Sequence, residues 1–306
     1  VYGTGYNGVL PQLNSLSNKI NPEEIQLKFY GNSDNFFDND EFLYFYLQSS
    51  DKIHFDSISN RIKSEKNIYT DTAYYFININ GDLSREINLE SPTSNFEDEV
   101  SDVFFNYRYE NDLYNIIQSG RYWYGEIFSP GNSLNIPLHK IFIQNSKVSL
   151  ELGLVSRSTV PSSFSVSIDN TELALFEMNT IKEGIYGNKI LSQVEMTDFN
   201  YSSNQEFINL KYFGNNSAIS YLDYVDITGV IGLSYIGENI SFYSIPENRS
   251  LFRKYNISTN TNHGIDKDGN HNLKFWNISN PYNIIELETF KENDNYYIII
   301  AKYHFS

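Results

Sequence analysis

The chain has 306 residues, with 22 Lys and Arg against 38 Asp and Glu, a net charge of −16, and 16% aromatic side chains. At about 100–200 residues per domain this length predicts two or three domains. The negative charge argues against nucleic acid as a partner, because phosphate binding needs clustered Lys and Arg. With no Cys in the sequence, disulfides, thiolate metal sites and Cys nucleophiles are all removed together.

The sequence opens on Val1 without an initiating Met, a basic stretch or an apolar stretch, so it reads as a processed or truncated product. Pro22-Glu23-Glu24-Ile25-Gln26-Leu27 predicts a short helix with Pro in its first turn. Asp34, Asp38 and Asp40, with Asn32 and Asn39, gather hard oxygen donors of the kind Ca²⁺ takes. The plainer reading of that stretch is a polar turn before a strand. Calcium there is the only cofactor to consider, and none is expected. Phe42–Leu47 is apolar at every position, which predicts a central strand covered on both faces. Asn80-Gly81 separates Tyr74–Ile79 from Arg85–Leu89 in the manner of a hairpin turn.

From Tyr107 to Glu126 runs an aromatic stretch in which Arg121 stands between Gly120 and aromatic residues, with carboxylates on either side. A guanidinium so placed can stack on a ring and pair a carboxylate at once. On a strand Arg121 and Trp123 share one face, and Glu126 turns back beyond Gly125. The cluster reads either as a structural pin, with Trp123 buried, or as a carbohydrate or peptide site.

Ser129-Pro130-Gly131-Asn132-Ser133 interrupts two strand-rich stretches and predicts a boundary near 128–135. The expected organisation is all-β: an N-terminal β domain over 1–128, truncated at its start, and a β-sandwich or jelly roll over 129–306. Within the second domain Val148, Leu150, Leu152 and Leu154 alternate with Ser149, Glu151 and Gly153, which puts the apolar set on one strand face. Phe164, Val166 and Ile168 alternate likewise, and Asp169-Asn170 turns that strand back into Leu173–Phe176. Asp266, Asp268 and Asn270 resemble the opening of an EF-hand loop, but its twelfth position falls on Asn277 in place of Glu. Ile284–Phe290, a turn and Tyr296–Phe305 close the chain as strands. The apolar run Tyr296–Ala301 is far shorter than the ~20 residues of a membrane helix, so no membrane-spanning segment is expected.

Catalytic chemistry is hard to assemble from these residues. His54, His139, His263, His271 and His304 show no metal-ligand spacing, and neither a Gly-x-Ser-x-Gly elbow nor a phosphate-binding Gly-rich loop occurs.

Several segments in order carry a resemblance. They are Tyr2-Gly3 to Leu10-Pro11, Asp38–Tyr46, Asn67-Ile68-Tyr69-Thr70-Asp71 to Phe76, and Tyr109-Glu110-Asn111-Asp112 with Ser119-Gly120-Arg121, Trp123, Gly125 and Glu126. Tyr221-Leu222-Asp223-Tyr224 and Phe275–Pro281 complete the series. Together they resemble the N-terminal, non-catalytic region of the PorU family of type IX secretion system sortases, which are gingipain-like cysteine peptidases. The resemblance implies that the peptidase domain with its Cys-His dyad follows in the family and is absent from this chain. No residue here is then catalytic, and Tyr109, Glu110, Ser119, Gly120, Arg121, Trp123, Gly125 and Glu126 are motif residues of structural role. It further implies a place at the outer-membrane surface or in the periplasm, with the chain's own C-terminal peptidase domain and outer-membrane attachment-complex proteins as partners. A free-standing carbohydrate-binding or adhesin-like β protein is the competing reading, since aromatic-rich jelly rolls stack sugars.

Overall fold

A computed structural model describes residues 1–3, 22–32, 34, 36–56, 61–67, 70–78, 84–91, 95–118, 122–138, 142–182, 184, 187–235, 239–244, 252–259, 273–292 and 295–301. Among them there is no helix, and the protein is all-β. The chain divides into two compact units. One comprises Asp102–Gly232 with Ile240–Ile245; the other, split in sequence, comprises Val1–Ser101, Leu233–Asn239 and Pro246–Ser306.

The split unit begins with β1 (Tyr2–Gly3), β2 (Glu23–Glu24), β3 (Leu27–Tyr30), β4 (Phe42–Phe45), β5 (Lys52–Asp56), β6 (Arg61–Glu65), β7 (Tyr75–Phe76), β8 (Asn88–Glu90) and β9 (Asp98–Val100). The sandwich unit holds β10 (Asp102–Glu110), β11 (Ile127–Phe128), β12 (Ser133–Pro137), β13 (Lys147–Ser156), β14 (Ser162–Ile168), β15 (Thr171–Met178), β16 (Leu191–Asn200), β17 (Phe207–Gly214) and β18 (Ser220–Gly232). The split unit resumes with β19 (Ser234–Tyr235), β20 (Phe252–Thr259), β21 (Phe275–Asn277), β22 (Ile285–Leu287), β23 (Phe290–Glu292) and β24 (Asn295–Ala301).

In the sandwich unit one sheet runs β10-β18-β13-β16, with β11 also beside β18, and the other runs β12-β17-β14-β15. Strict alternation along β13 and β14 explains why they face each other. Val148, Leu150, Leu152 and Leu154 are fully buried on one side, and Phe164, Val166 and Ile168 on the other. Phe128 of the first sheet meets Phe164 and Tyr212 of the second edge-on, with ring centroids 5.0 and 6.4 Å apart. The Asp169-Asn170 hairpin forms as expected, with Asp169 in the left-handed region at φ 50° and a bulge between Val166 and Ser167. Ser129–Ser133, where the domain boundary was expected, joins β11 to β12 inside this unit. There the chain crosses from the sheet of β18 to that of β17, and the same turn chemistry serves a crossing between sheets as a domain end, so Pro-Gly alone does not separate the two.

In the split unit the sheets are β2-β1-β7, β21-β22-β8, β19-β20-β24-β23 with β9 beside β20, and the two ribbons β3-β4 and β5-β6. The Pro22–Leu27 segment is extended where a helix was expected. Its backbone bonds outward: Ile25 N–H to Val1 O, Leu27 N–H to Arg85 O, and Ile87 N–H back to Leu27 O. Buried Gln26 fastens it further, donating Nε2 to Glu86 O at 2.9 Å and accepting Ile284 N–H on Oε1 at 2.6 Å. Tertiary partners thus outbid weak local propensity. Buried Glu286 draws β3 inward in the same way: Lys28 Nζ lies 3.0 Å from it and Tyr30 donates its hydroxyl at 2.9 Å. Burial raises the Glu286 pKa, but the bonds from Lys28 and Tyr30 outweigh it and leave the group below the usual carboxylate range.

Two further expectations fail here. Phe42–Leu47 is no central strand, because β4 pairs only with β3 among the described residues and Phe42, Leu43, Tyr44 and Leu47 are exposed, with Phe45 and Tyr46 half-buried. The strands flanking Asn80-Gly81 do not form a hairpin: β7 joins β1, whereas β8 runs parallel to β22. Asn80 and Gly81 themselves lie outside the described residues.

Candidate functional site

The sequence block from Tyr107 to Glu126 sits at the junction of β10, β11 and β18, and alternation along β10 divides it between two faces. Asn106, Arg108 and Glu110 lie opposite Thr228, Asp226 and Tyr224 of β18 on the outer face, while Tyr107 and Tyr109 lie opposite Ile227 and Val225 on the inner one.

On the outer face Arg108 donates Nε to Glu110 Oε2 and Nη1 to Asp226 Oδ2, both at 2.6 Å, and its guanidinium lies 3.8 Å from the centroid of the Tyr224 ring. Tyr224 donates a hydrogen bond from its hydroxyl to Glu151 Oε1 at 2.9 Å. The combination of stacking and pairing expected of Arg121 is therefore realised at Arg108. Two carboxylates, Glu110 and Asp226, share one guanidinium, and a third, Glu151, is joined to it through Tyr224. Asp226 is buried, and burial pushes its pKa from the usual 3.8 up to about 6; Arg108 opposes the rise, and Glu151 and Glu110 add to it. Burial and the Glu151 carboxylate likewise raise the Tyr224 hydroxyl. Sequence reasoning missed Arg108, Glu151, Tyr224 and Asp226. The available signal was polar residues at every second position of a strand, where a purely apolar or purely solvated face is usual.

Beyond Glu110, Glu126 Oε1 accepts the Tyr109 hydroxyl at 2.5 Å and Asn111 Nδ2 at 2.7 Å. Burial and Glu126 push the Tyr109 pKa up to about 12. Gly125 is required by close approach: a Cβ there would meet Asn111 O at 3.0 Å and Leu222 O at 3.1 Å, while its N–H bonds Leu222 O at 2.7 Å. Tyr124 bonds back to Tyr114 through both backbone groups and packs with Val155 and Tyr221. The buried pin of the block is thus Tyr124, 3% exposed, and not Trp123, which is 41% exposed. Ser119, Gly120 and Arg121 lie outside the described residues, so the arrangement expected for Arg121 does not enter the geometry.

Asp34, Asp38 and Asp40 are exposed around a turn organised by a fourth acid, buried Glu41, which accepts the backbone N–H of Asn32 at 2.7 Å and of Asp38 at 3.0 Å. Among the described residues no three His, Cys, Asp or Glu side chains converge as a metal site would require. His54 faces Glu65 at 3.7 Å; His139, His263, His271 and His304 lie outside the described residues, as do Asp266, Asp268 and Asn270. Two shallow hollows open on the sandwich unit, one lined by Asn135, Asp169, Asn170, Phe207 and Asn209, the other by Ile116, Gln118, Arg157, Ile181 and Lys189. Neither brings a nucleophile to a base.

No protein-family model matches the chain, and no curated protein sequence does. Among solved structures, the crystal structure of dimeric latent PorU from Porphyromonas gingivalis superposes with a TM-score of 0.72 over 98% of this chain. The fold is PorU-like. Sequence identity to PorU is 14%, and the match spans 27% of the PorU chain. The insecticidal delta-endotoxin Cry8Ea1 from Bacillus thuringiensis matches 33% of this chain and 18% of its own at 12% identity, with a TM-score of 0.26 that carries no argument. The sequence holds no Cys, so it contains no Cys nucleophile. Among the described residues no helix is long and apolar enough to cross a membrane.

Proposed function

We propose that this chain is the N-terminal, non-catalytic region of a type IX secretion sortase-like cysteine peptidase, a scaffold that packs against its own peptidase domain and docks attachment-complex proteins at the outer-membrane surface. The observation that carries the reading is the PorU-like fold over 98% of the chain, combined with the absence of Cys. The parent enzyme cleaves C-terminal sorting signals from secreted cargo and couples the cargo to an anionic lipopolysaccharide; the β units supply position and not chemistry. The test has two arms. Purified chain incubated with a cargo protein carrying its sorting signal leaves the signal intact, and the reading frame beyond Ser306 continues into a domain with a Cys-His dyad. Cleavage by the chain itself, or a stop codon followed by an unrelated gene, overturns the proposal.

One observation favours a second reading, a carbohydrate-binding or adhesin-like β protein: Tyr122 and Trp123 are both exposed, at 44% and 41%, and an exposed ring offers a sugar a stacking face. Glycan binding by the isolated chain that is lost in Trp123→Ala would decide for it.

A further inference from the structure

The β3-β4 ribbon breaks the usual rule for an outer strand. Exposed sheet edges in native proteins carry a charge, a Pro or a bulge that discourages further pairing. β4 reads Phe-Leu-Tyr-Phe and pairs with β3 in unbroken register from Leu27↔Phe45 to Tyr30↔Phe42. β3 is drawn inward by Gln26 and Glu286, so among the described residues β4 is the outer strand. Apolar side chains stand open on both faces: Phe42 and Tyr44, 52% and 49% exposed, share one face, and Leu43, 47% exposed, lies on the other beside half-buried Phe45. A partner laid on one face would cover half of this surface. A strand added along the edge covers all of it, because its own side chains fall beside both faces.

Charge at one end narrows the partner. Asp38 and Asp40 precede β4 directly, and the turn that bears them, held by Glu41, also presents Phe36 and Phe37 at 76% and 64% exposure. An apolar patch rimmed by carboxylates fits an apolar segment ending in cations. A second copy of this chain fits poorly. Paired antiparallel at β4, it would bring Tyr46–Asp51 against the acidic turn, a stretch without a cation, and each copy has a net charge of −16.

We propose that the outer edge of β4, unpaired among the described residues, is a strand-acceptor site for an extended segment of another polypeptide, apolar along its length, with Lys or Arg at the end beside Asp38 and Asp40. This deepens the docking role proposed above by naming a surface, and its failure leaves that reading standing, because neither the cargo assay nor the gene context involves β4.

The probe is a blocked peptide, Lys-Lys-Val-Ile-Val-Tyr, labelled for fluorescence anisotropy, with Glu-Glu-Val-Ile-Val-Tyr as its counterpart. The full chain is expected to bind the first saturably, slowing amide exchange at Phe42–Phe45 at least tenfold, and to bind the second at least tenfold more weakly. Leu43→Lys, an exposed position, is expected to weaken binding at least tenfold while exchange in β20 and β24 stays unchanged. Should that variant misfold, Asp38→Asn with Asp40→Asn alters charge alone and is expected to weaken binding several-fold. No saturation at millimolar peptide, equal affinity for the two peptides, or protection outside β4 overturns the proposal. So does a concentration-dependent dimer in sedimentation that Leu43→Lys abolishes, which would assign the edge to a second copy.

Discussion

Asp226 shows most clearly how one side chain is held against its own preference. It is withdrawn from water near two other carboxylates, Glu110 and Glu151, and shares the single Arg108 guanidinium with Glu110. Its pKa of about 6 in the folded chain lies above the 3.8 of a free Asp. The folded state therefore binds the proton more tightly than the unfolded state, and the sign follows. This group's contribution to stability is most favourable below about pH 4, declines as pH rises towards 6, and stays at its lower value above. The change is on the order of 3 kcal/mol for a shift of about two units. Asp226→Asn cannot titrate, so the difference in melting temperature between wild type and variant is expected to move in the variant's favour between pH 4 and 6 and to level off above. A difference that stays flat across that range would show that the Asp226 proton is bound no more tightly in the folded chain. Glu286 runs the other way: held below the usual carboxylate range, it stabilises the split unit at neutral pH and loses that effect as acid protonates it. Comparing variant with wild type cancels it.

The segment from Tyr122 to Glu126 works as an element because its residues divide the tasks. Tyr124 is the buried anchor, Gly125 lets the backbone approach Asn111 and Leu222, Glu126 closes on Tyr109, and Tyr122 and Trp123 remain outside. Tyr124→Ala is therefore expected to cost about 3–5 kcal/mol, as truncation of a buried aromatic does, and Trp123→Ala less than about 1 kcal/mol. Equal losses in denaturant melts would contradict the division. The composition of the segment was legible in the sequence, but not the side of the sheet each residue takes, since Gly125 and the run beside β18 interrupt simple alternation. β13 and β14 were fully legible, because a period of two with one apolar face is a local signal and the Asp-Asn turn between β14 and β15 is local as well. Phe42–Leu47 was misread for the converse reason. A run of apolar residues has no period, and only the tertiary neighbours decide whether it is buried. The pairing of Asn88 with Ile285 and of Asp98 with Arg253 is parallel and remote, and no residue in those short strands announces its partner.

Among the described residues the strand ladders of β10–β18 close within 102–243: β10 on β18, β13 between β16 and β18, β14 between β15 and β17, and the bridge of Phe104 to Tyr243. The described core residues between the two sheets also come from that stretch, from Val148 and Phe164 to Tyr212 and Ile227. At about 140 residues such a unit is large enough to bury a core of its own. The split unit has the opposite construction, since β8, β9 and their partners β22 and β20 come from the two ends of the sequence and meet only when both are present. A fragment spanning 102–245 is therefore expected to unfold in one cooperative transition, with calorimetric and van't Hoff enthalpies in agreement and dispersed amide resonances. A fragment spanning 1–101 alone lacks the partners of β8 and β9 and is expected to show no such transition. If 102–245 instead melts gradually and binds a hydrophobic dye, its sheets require the split unit to pack, and the two units would have to be regarded as a single cooperative fold.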